Sequence, residues 1–291
     1  MNIAVIGPGA TGCLFAARFQ AAGHKVCLVD YRADRVRRLQ KSGIRLEYNG
    51  ETLMAHPKLS PLIPPGQDLI LVTTKAHSTA GLQFPPDTPI LTLQNGLGNA
   101  EQISMMVGSG RVLAGTTLEA VTLLGEGHVQ HHASGRTVFG SWTTCADEAA
   151  LTLFEGVGFE VEKTDRPGQV IWQKVVINAG INPLTALLNV NNGRLLENSG
   201  VRMLLRDLVL EAARVAANEG YRFKQSMVEY TEQVCRDTAA NTSSMLQDIR
   251  QGRKTEIDAI SGEIIRRAKM ASLPTPRTKV VYQLLRGLES L

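Results

Sequence analysis

Six residues, Gly7-Pro8-Gly9-Ala10-Thr11-Gly12, follow directly on an apolar run at 2–6 and open a helical pattern at 11–22. A second apolar run, rich in β-branched residues, comes at 25–29. Strand, tight turn, helix and strand in that order make a βαβ unit, and each glycine of the turn has a separate physical reason. Gly7 permits the sharp turn, Gly9 lets the backbone approach a pyrophosphate, and Gly12 lets the helix pack closely on the strand. The N–H groups at the start of the helix have no partners within it and attract an anion. The segment Gly7, Pro8, Gly9, Ala10, Thr11 and Gly12 is therefore expected to hold the phosphates of a dinucleotide; a ligand-free glycine turn would not need this strand and helix on either side.

From there strands and helices alternate. A basic helix is expected at 33–41, and residues 44–54 alternate around Asn49-Gly50, a dipeptide that favours a two-residue hairpin turn. Further strands are expected at 68–73, 89–94 and 111–116, with helical stretches between them. The alternation predicts an α/β fold with a Rossmann-type, doubly wound, mostly parallel sheet. Residues 128–140 read as short strands turning at Ala133-Ser134-Gly135, an antiparallel extension of that sheet, and a last strand is expected at 160–163. After Asp165-Arg166-Pro167-Gly168 the strand signals cease. Helices are expected at 169–188, 193–197, 200–219, 225–237, 244–272 and 277–288. The reading is a dinucleotide-binding domain at 1–166 and an all-helical substrate-binding and catalytic domain at 167–291.

Composition narrows the partners. Thirty-one basic against 27 acidic residues leave a net charge of +4, too slight to imply nucleic acid, and 5% aromatic residues provide few stacking platforms for bases. Cys13, Cys27, Cys145 and Cys235 lie far apart without metal-ligand spacing, so neither a metal site nor a disulfide framework is expected. No apolar run reaches the roughly 18 residues of a membrane span. The chain starts inside a strand, with no cleavable leader expected ahead of it, so a cytoplasmic protein acting on a small molecule is the simplest account.

Asp30 closes the second strand where an acidic residue commonly accepts hydrogen bonds from a ribose, favouring NAD(H). Arg32 and Arg35 follow at once and could hold the extra phosphate of NADP(H), or could simply belong to the solvated face of the next helix. Lys75 and Asn95 fall just past two other strands, at the sheet edge where ligands bind in open α/β sheets, although a lysine and an Asn-Gly pair at strand ends are also ordinary surface and turn features.

In the helical half Lys174, Asn178 and Asn182 recur every fourth residue among Val, Ile and Ala. They share one side of a helix. Their apolar neighbours imply a buried or cleft-lining stripe, where a lysine and two amides need partners or a ligand. Capping before Pro183 is the competing explanation for the two asparagines. Glu256 lies within the helical pattern at 244–272, where spacing alone makes it a surface partner for Arg253 or Lys254 as readily as a working group. Ser244-Met245-Leu246-Gln247 has the form of a capping box.

Taken together these segments resemble ketopantoate reductase (2-dehydropantoate 2-reductase) over essentially the whole chain. The resemblance is carried by the glycine turn, Thr74-Lys75-Ala76, Gln94-Asn95-Gly96, K-V-V-I-N-A-G-I-N-P-L-T from Lys174 to Thr185, Asn192-Gly193, Ser243 to Arg250, Thr255-Glu256-Ile257-Asp258 and Pro274-Thr275-Pro276. It implies NADPH-dependent reduction of 2-dehydropantoate to (R)-pantoate, a step of pantothenate and coenzyme A biosynthesis. By the same resemblance Lys174 is the general acid, and Glu256 is catalytic by binding the substrate oxygen and orienting the site. Asn178, Asn182, Asn192 and Ser244 bind substrate, and Arg32, Lys75 and Asn95 join the glycine turn at the cofactor, Asn95 close to Lys174. Asp30 departs from the family pattern and leaves NAD(H) open beside NADP(H). A homodimer through the helical domain is compatible with the sequence. The rival readings are a related NAD(P)-dependent dehydrogenase of another small 2-keto or hydroxy acid, and a non-catalytic NADP(H)-sensing protein, which would have no need of Lys174 and Glu256.

Overall fold

The computed structural model describes residues 1–108 and 110–290. They form two compact units, one of Met1–Gln94 with Asn99–Gly168 and one of Asn95–Gly98 with Gln169–Leu291.

The first unit carries the strands β1 (Asn2–Ile6), β2 (Lys25–Val29), β3 (Ile44–Tyr48), β4 (Glu51–Ala55), β5 (Lys58–Ser60), β6 (Leu69–Val72), β7 (Ile90–Thr92), β8 (Val112–Thr117), β9 (Ala120–Gly125), β10 (His128–Ala133), β11 (Thr137–Ser141) and β12 (Val161–Lys163). Its helices are α1 (Ala10–Ala21), α2 (Ala33–Ser42), α3 (Asn99–Val107) and α4 (Glu148–Gly156). The main sheet has the order β12-β11-β8-β7-β6-β1-β2-β5. Every pair from β5 to β8 is parallel, and β11 runs antiparallel to β8. The chain winds outward from β1 to β2 and β5, then returns to β6 on the other side of β1. The winding direction reverses between β1 and β6, and the glycine turn leaves the carboxyl end of β1 at this crevice.

Burial explains why the parallel strands are apolar without a break. Ile3 and Val5 pack into the cluster around α1, while Ala4 and Ile6 pack with Ile103 of α3 on the opposite face. Two covered faces leave no position for a polar residue. Helix α1 is itself buried at Cys13, Leu14, Phe15, Ala16, Ala17 and Phe19, because a second sheet, β4-β3-β10-β9, covers the side that the main sheet leaves open. Phe15 meets Phe159 at 4.9 Å between ring centroids and Phe19 meets Phe154 at 5.3 Å. Each such ring taken fully out of water contributes about 2–3 kcal/mol.

The hairpin at 44–54 forms as expected, with Asn49 and Gly50 at φ 50° and 82° joining β3 to β4. The expected antiparallel extension at 128–140 is corrected. Only β11 extends the main sheet; β10 lies in the second sheet, parallel to β3 and antiparallel to β9. Its alternating pattern, with Val129 and His131 buried, suits a sheet with one face on α1.

The second unit is built from α5 (Pro167–Leu188), α6 (Ser199–Asn218), α7 (Met227–Asp237), α8 (Ser244–Arg250), α9 (Glu263–Met270) and α10 (Pro276–Leu288). Trp172, Val175, Val176 and Ala179 of α5 share one core with Leu205, Leu208, Val209 and Ala212 of α6. Gly180 allows the close approach, since a Cβ there would lie 2.8 Å from Val209 Cγ2. The single helix expected at 244–272 is corrected to three pieces. Helix α8 ends in a Schellman motif: Gly252 takes φ 61°, its N–H donates to the Ile249 carbonyl and the Arg253 N–H to that of Asp248. A π-turn over Asp258–Gly262 then leads into α9. The helix expected at 193–197 is a 3₁₀ turn over Asn192–Leu196. Helix α10 is anchored at its start by Glu211 of α6, whose carboxylate accepts the N–H groups of Arg277 and Thr278 at 3.0 and 2.8 Å and the Thr278 hydroxyl at 2.6 Å. Among the described residues no helix is long and apolar enough to cross a membrane.

A Cβ at Gly12 would lie 2.0 Å from the Gly7 carbonyl oxygen and 2.6 Å from Thr73 Oγ1. Gly12→Ala is therefore expected to destabilise the protein by about 1–3 kcal/mol, as overpacked sites do, read as a lower midpoint in chemical denaturation.

Candidate active site

On the first unit the glycine turn forms an anion cradle. Gly7 takes φ 100° and donates its N–H to the Val29 carbonyl at 2.9 Å, so the chain turns back over β1. Gly9 is the N-cap of α1 and brings no side chain to cap it, and the first turn of the helix carries no acidic residue. A Cβ built at Gly9 meets nothing within 4 Å. Space and uncapped N–H groups at a helix start fit a phosphate.

Asp30 and Arg32 differ in burial and in pairing. Asp30 is 3% exposed, its carboxylate bonded by the Arg35 guanidinium and by the Arg32 N–H at 3.2 Å. Arg35 is thus drawn off the solvated face of α2. The Arg32 side chain remains 45% exposed, its Nε 3.9 Å from Asp30. Asp30 is thus paired closely by Arg35, and Arg32 keeps a looser ion pair to the same carboxylate with much of its side chain in solvent. Lys75 caps the 3₁₀ turn Ala76–Gly81 after β6. The segment ahead of it is held by buried Gln94, whose amide donates to the Thr74 carbonyl and to Thr79 Oγ1, both at 2.9 Å. Gln94 was visible in the sequence only as the neighbour of Asn95.

On the second unit Asn95, Lys174 and Glu256 come together. Asn95–Gly98 belongs to this unit although it follows a strand of the other. The Asn95 amide donates to Glu256 Oε2 at 3.2 Å. Two features hold it there. The Leu97 N–H donates to the Ala259 carbonyl at 2.8 Å, and Gly96, at φ 92°, passes so close that a Cβ would lie 2.6 Å from Ala259 Cβ. Ala259 stands in the π-turn, and such turns recur at functional sites because they disturb the regular ladder of a helix. Glu256 itself lies outside any helix, between α8 and the π-turn, and its carbonyl accepts the N–H groups of Ala259 and Ile260 at 3.1 Å each.

Lys174 is half-buried on α5, two residues beyond the core Trp172. Burial pushes its ammonium down to about 8, while the Glu256 carboxylate pulls the other way. A lysine so placed gives up a proton near neutral pH far more readily than one in water. Asn178 is half-buried and Asn182 6% exposed on the same helix. Trp172 donates its indole N–H to Glu219 at 3.3 Å, and Arg267 joins Glu219 at 2.8 Å to Glu263 at 3.2 Å, so the start of α5 and the start of α9 share one ionic network.

Two other expected residues stand differently. Ser243, not Ser244, caps α8, accepting the Leu246 N–H at 3.1 Å and lying 2.7 Å from Thr185 Oγ1. The capping box read at Ser244 is thereby corrected by one residue, and Ser244 is exposed in the first turn of α8. Asn192 is buried, its amide donating to Thr238 Oγ1 at 2.9 Å, and its carbonyl oxygen has no hydrogen-bond partner among the described residues. The residues that the sequence did not single out, Ala259 and, apart from its Asn-Gly pairing, Gly96, are ordinary types at ordinary spacing.

Residues 3–144 match the family described as Ketopantoate reductase PanE/ApbA, and residues 168–289 match Ketopantoate reductase PanE/ApbA C terminal. Among curated relatives, the 2-dehydropantoate 2-reductase of Halobacterium salinarum is 33% identical over 98% of each chain. That of Pyrococcus horikoshii is 34% identical over 100% of this chain and 98% of its own. Among solved structures, D-mandelate dehydrogenase with NADH and anilino(oxo)acetate superposes with a TM-score of 0.92 at 27% identity, covering 100% of this chain and 99% of the other. The PanE/ApbA family ketopantoate reductase from Ralstonia eutropha JMP134 gives 0.90 at 28% with the same coverage.

Gly96→Ala places a side chain against Ala259 at a backbone angle that L residues avoid, and is expected to cost about 1–3 kcal/mol. Gly23 has a similar φ of 86° with nothing within 4 Å, so Gly23→Ala meets only the backbone strain. Parallel denaturation curves should show Gly96→Ala to be the less stable of the two; equal stability would mean that Ala259 yields freely.

Proposed function

The chain belongs to the ketopantoate reductase PanE/ApbA family, and we propose that it reduces 2-dehydropantoate to (R)-pantoate with NADPH, using Lys174 as the proton donor. The observation that carries this reading is the arrangement on the second unit, where the Asn95 amide holds Glu256 at 3.2 Å and half-buried Lys174, its pKa lowered by burial, lies within reach of that carboxylate's charge.

The dinucleotide, when bound, supplies a hydride to C2 of the keto acid. The glycine turn from Gly7 to Gly12 would hold its phosphates, with Lys75 near the same strand edge. Arg32 would take the 2′-phosphate, and the pairing of Asp30 with Arg35 removes the free carboxylate that would repel it. A free acceptor for ribose hydroxyls is likewise missing at Asp30, which favours NADP(H) over NAD(H).

As C2 is reduced, negative charge grows on the carbonyl oxygen. Lys174 stabilises that charge electrostatically and then transfers its proton to the oxygen, leaving a neutral amine and an alcohol. Glu256 keeps the ammonium populated by opposing its desolvation, and Asn95 orients Glu256. Asn178 and Asn182 offer amides to the substrate's polar groups, and exposed Ser244 offers a hydroxyl to the carboxylate. A second reading, reduction of an aromatic 2-keto acid with NADH, is prompted by the dehydrogenase of 0.92 TM-score.

Mixing the protein with NADPH and ketopantoate should consume NADPH, and faster than NADH, benzoylformate or their combination does; reversal of that order sinks the reading. Lys174→Ala should lower kcat about 10²–10⁴-fold. A general acid works only while protonated, so reduction should fall as pH rises through about 8. Glu256→Gln removes the contribution that raises the Lys174 pKa, and the fall should then begin at lower pH. Arg32→Ala should raise KM for NADPH and leave that for NADH nearly unchanged.

A further inference from the structure

The segment that carries Glu256 is held from both sides by the second half of α10 and by Glu289, which caps it. On one side the Thr255 N–H donates to Glu289 Oε1 at 2.8 Å, and the Glu289 side chain is 9% exposed. On the other the Tyr282 hydroxyl donates to Asp258 Oδ1 at 2.8 Å. Arg286 ties the two sides together, its Nη1 3.3 Å from both Asp258 Oδ2 and Glu289 Oε2. Lys254 adds a weaker ion pair to Asp258 at 3.7 Å. Thr255 is buried and uses its own hydroxyl to accept the Ile257 N–H at 3.1 Å. Burial and the bond to Asp258 push the Tyr282 hydroxyl up, so it stays a donor. The far end of α10 is pinned by Glu211, so the helix cannot slide freely along its axis.

These bonds are out of proportion to what a short connection between two helices requires. The Schellman motif at Gly252 already ends α8, and the π-turn already starts the next helix. What remains for Glu289, Tyr282 and Arg286 to determine is the placement of the one residue between Thr255 and Asp258 whose carboxylate meets Asn95.

We propose that Tyr282, Arg286 and Glu289 are positioning residues for the reduction, clamping Thr255 and Asp258 so that the Glu256 carboxylate stays on Asn95 and beside Lys174. The proposal rests on the assignment of Lys174 as proton donor only for its effect on turnover. Its effect on Lys174 itself needs no turnover. Glu256 opposes the desolvation of Lys174, so a carboxylate that drifts away leaves the amine to lose its proton at lower pH. Glu256 is the charge beside Lys174, and four more, Asp258, Lys254, Arg286 and Glu289, surround the anchors of the segment.

The test uses the full chain with Tyr282→Phe, Glu289→Ala and Glu289→Gln. Two readouts are taken across pH: steady-state reduction of ketopantoate by NADPH, and the rate of reductive methylation of Lys174 followed by peptide mass spectrometry. For Tyr282→Phe and Glu289→Ala, kcat should fall about five- to fiftyfold with a smaller change in KM, in keeping with the cost of a slightly displaced group. The alkaline limb of kcat and the methylation midpoint should both move down by about half a pH unit. Glu289→Gln keeps an acceptor oxygen for the Thr255 N–H and should restore part of the loss. If kcat falls only with the folded fraction, and the midpoint of Lys174 stays where it is in the wild type, the proposal is overturned. Should the wild type fail to reduce ketopantoate, the functional reading falls but the methylation midpoints still decide the clamp. Tyr282→Phe removes a single hydroxyl, so it carries the test even if Glu289→Ala does not fold.

Discussion

Taking a lysine out of water on an apolar helix is costly, and the second unit is arranged around that cost. Lys174 needs a position on α5 because the helix core formed by Trp172, Val175, Val176 and Ala179 fixes which side of it faces the polar group. It needs Glu256 because burial lowers the Lys174 pKa and this carboxylate is the charge that opposes the shift. Glu256 in turn cannot be supplied by a regular helix: it sits where the chain has left α8 and not yet entered α9. The Schellman motif, the π-turn, the passage of Gly96 over Ala259 and the bonds from α10 all serve to give one carboxylate a defined place in an irregular segment.

The same logic of neutralising a charge before using its neighbour applies in the first unit. Asp30 is buried at the end of β2 with Arg35 on its carboxylate, and this leaves Arg32 as the charge presented outward. Sequence alone lists an acid and two arginines within six positions and cannot say which pairs with which. Geometry decides it: Arg35, in the first turn of α2, bonds the Asp30 carboxylate directly, while Arg32 stays at 3.9 Å with much of its side chain in solvent.

How much could be read in advance depends on how local the cause was. The glycine turn was legible because Gly7, Gly9 and Gly12 act within one turn of chain, and the Asn49-Gly50 hairpin for the same reason. The stripe of Lys174, Asn178 and Asn182 was legible because its apolar neighbours betray burial. The break at Gly252 was missed since one glycine in a helical pattern is tolerated as often as it is decisive, and only the carbonyls of Asp248 and Ile249 show which happened here. Transfer of β10 to a second sheet depends on what covers α1, a fact spread over β3, β4 and β9. Spacing alone could not attach Asn95 to this site, since its partner Glu256 lies in a distant part of the chain, and only the family resemblance put it close to Lys174.

The fold by itself does not choose the acid that is reduced, since a ketopantoate reductase and a mandelate dehydrogenase superpose on this chain almost equally well. On the proposed reading the choice falls to the polar stripe of α5. Ketopantoate ends in a hydroxymethyl group, whereas an aromatic keto acid ends in a ring with nothing to donate or accept. A site that places amides such as those of Asn178 and Asn182 against the substrate pays their desolvation, and a ring lying there would leave them unpaired. Sites built to bond a substrate hydroxyl discriminate against analogues lacking it by about 10⁴–10⁵, far more than a hydrophobic pocket achieves against an added group. On that reading Asn182, 6% exposed on α5, would be the residue at which the two chemistries diverge: an apolar side chain there would suit the ring, and the amide the alcohol.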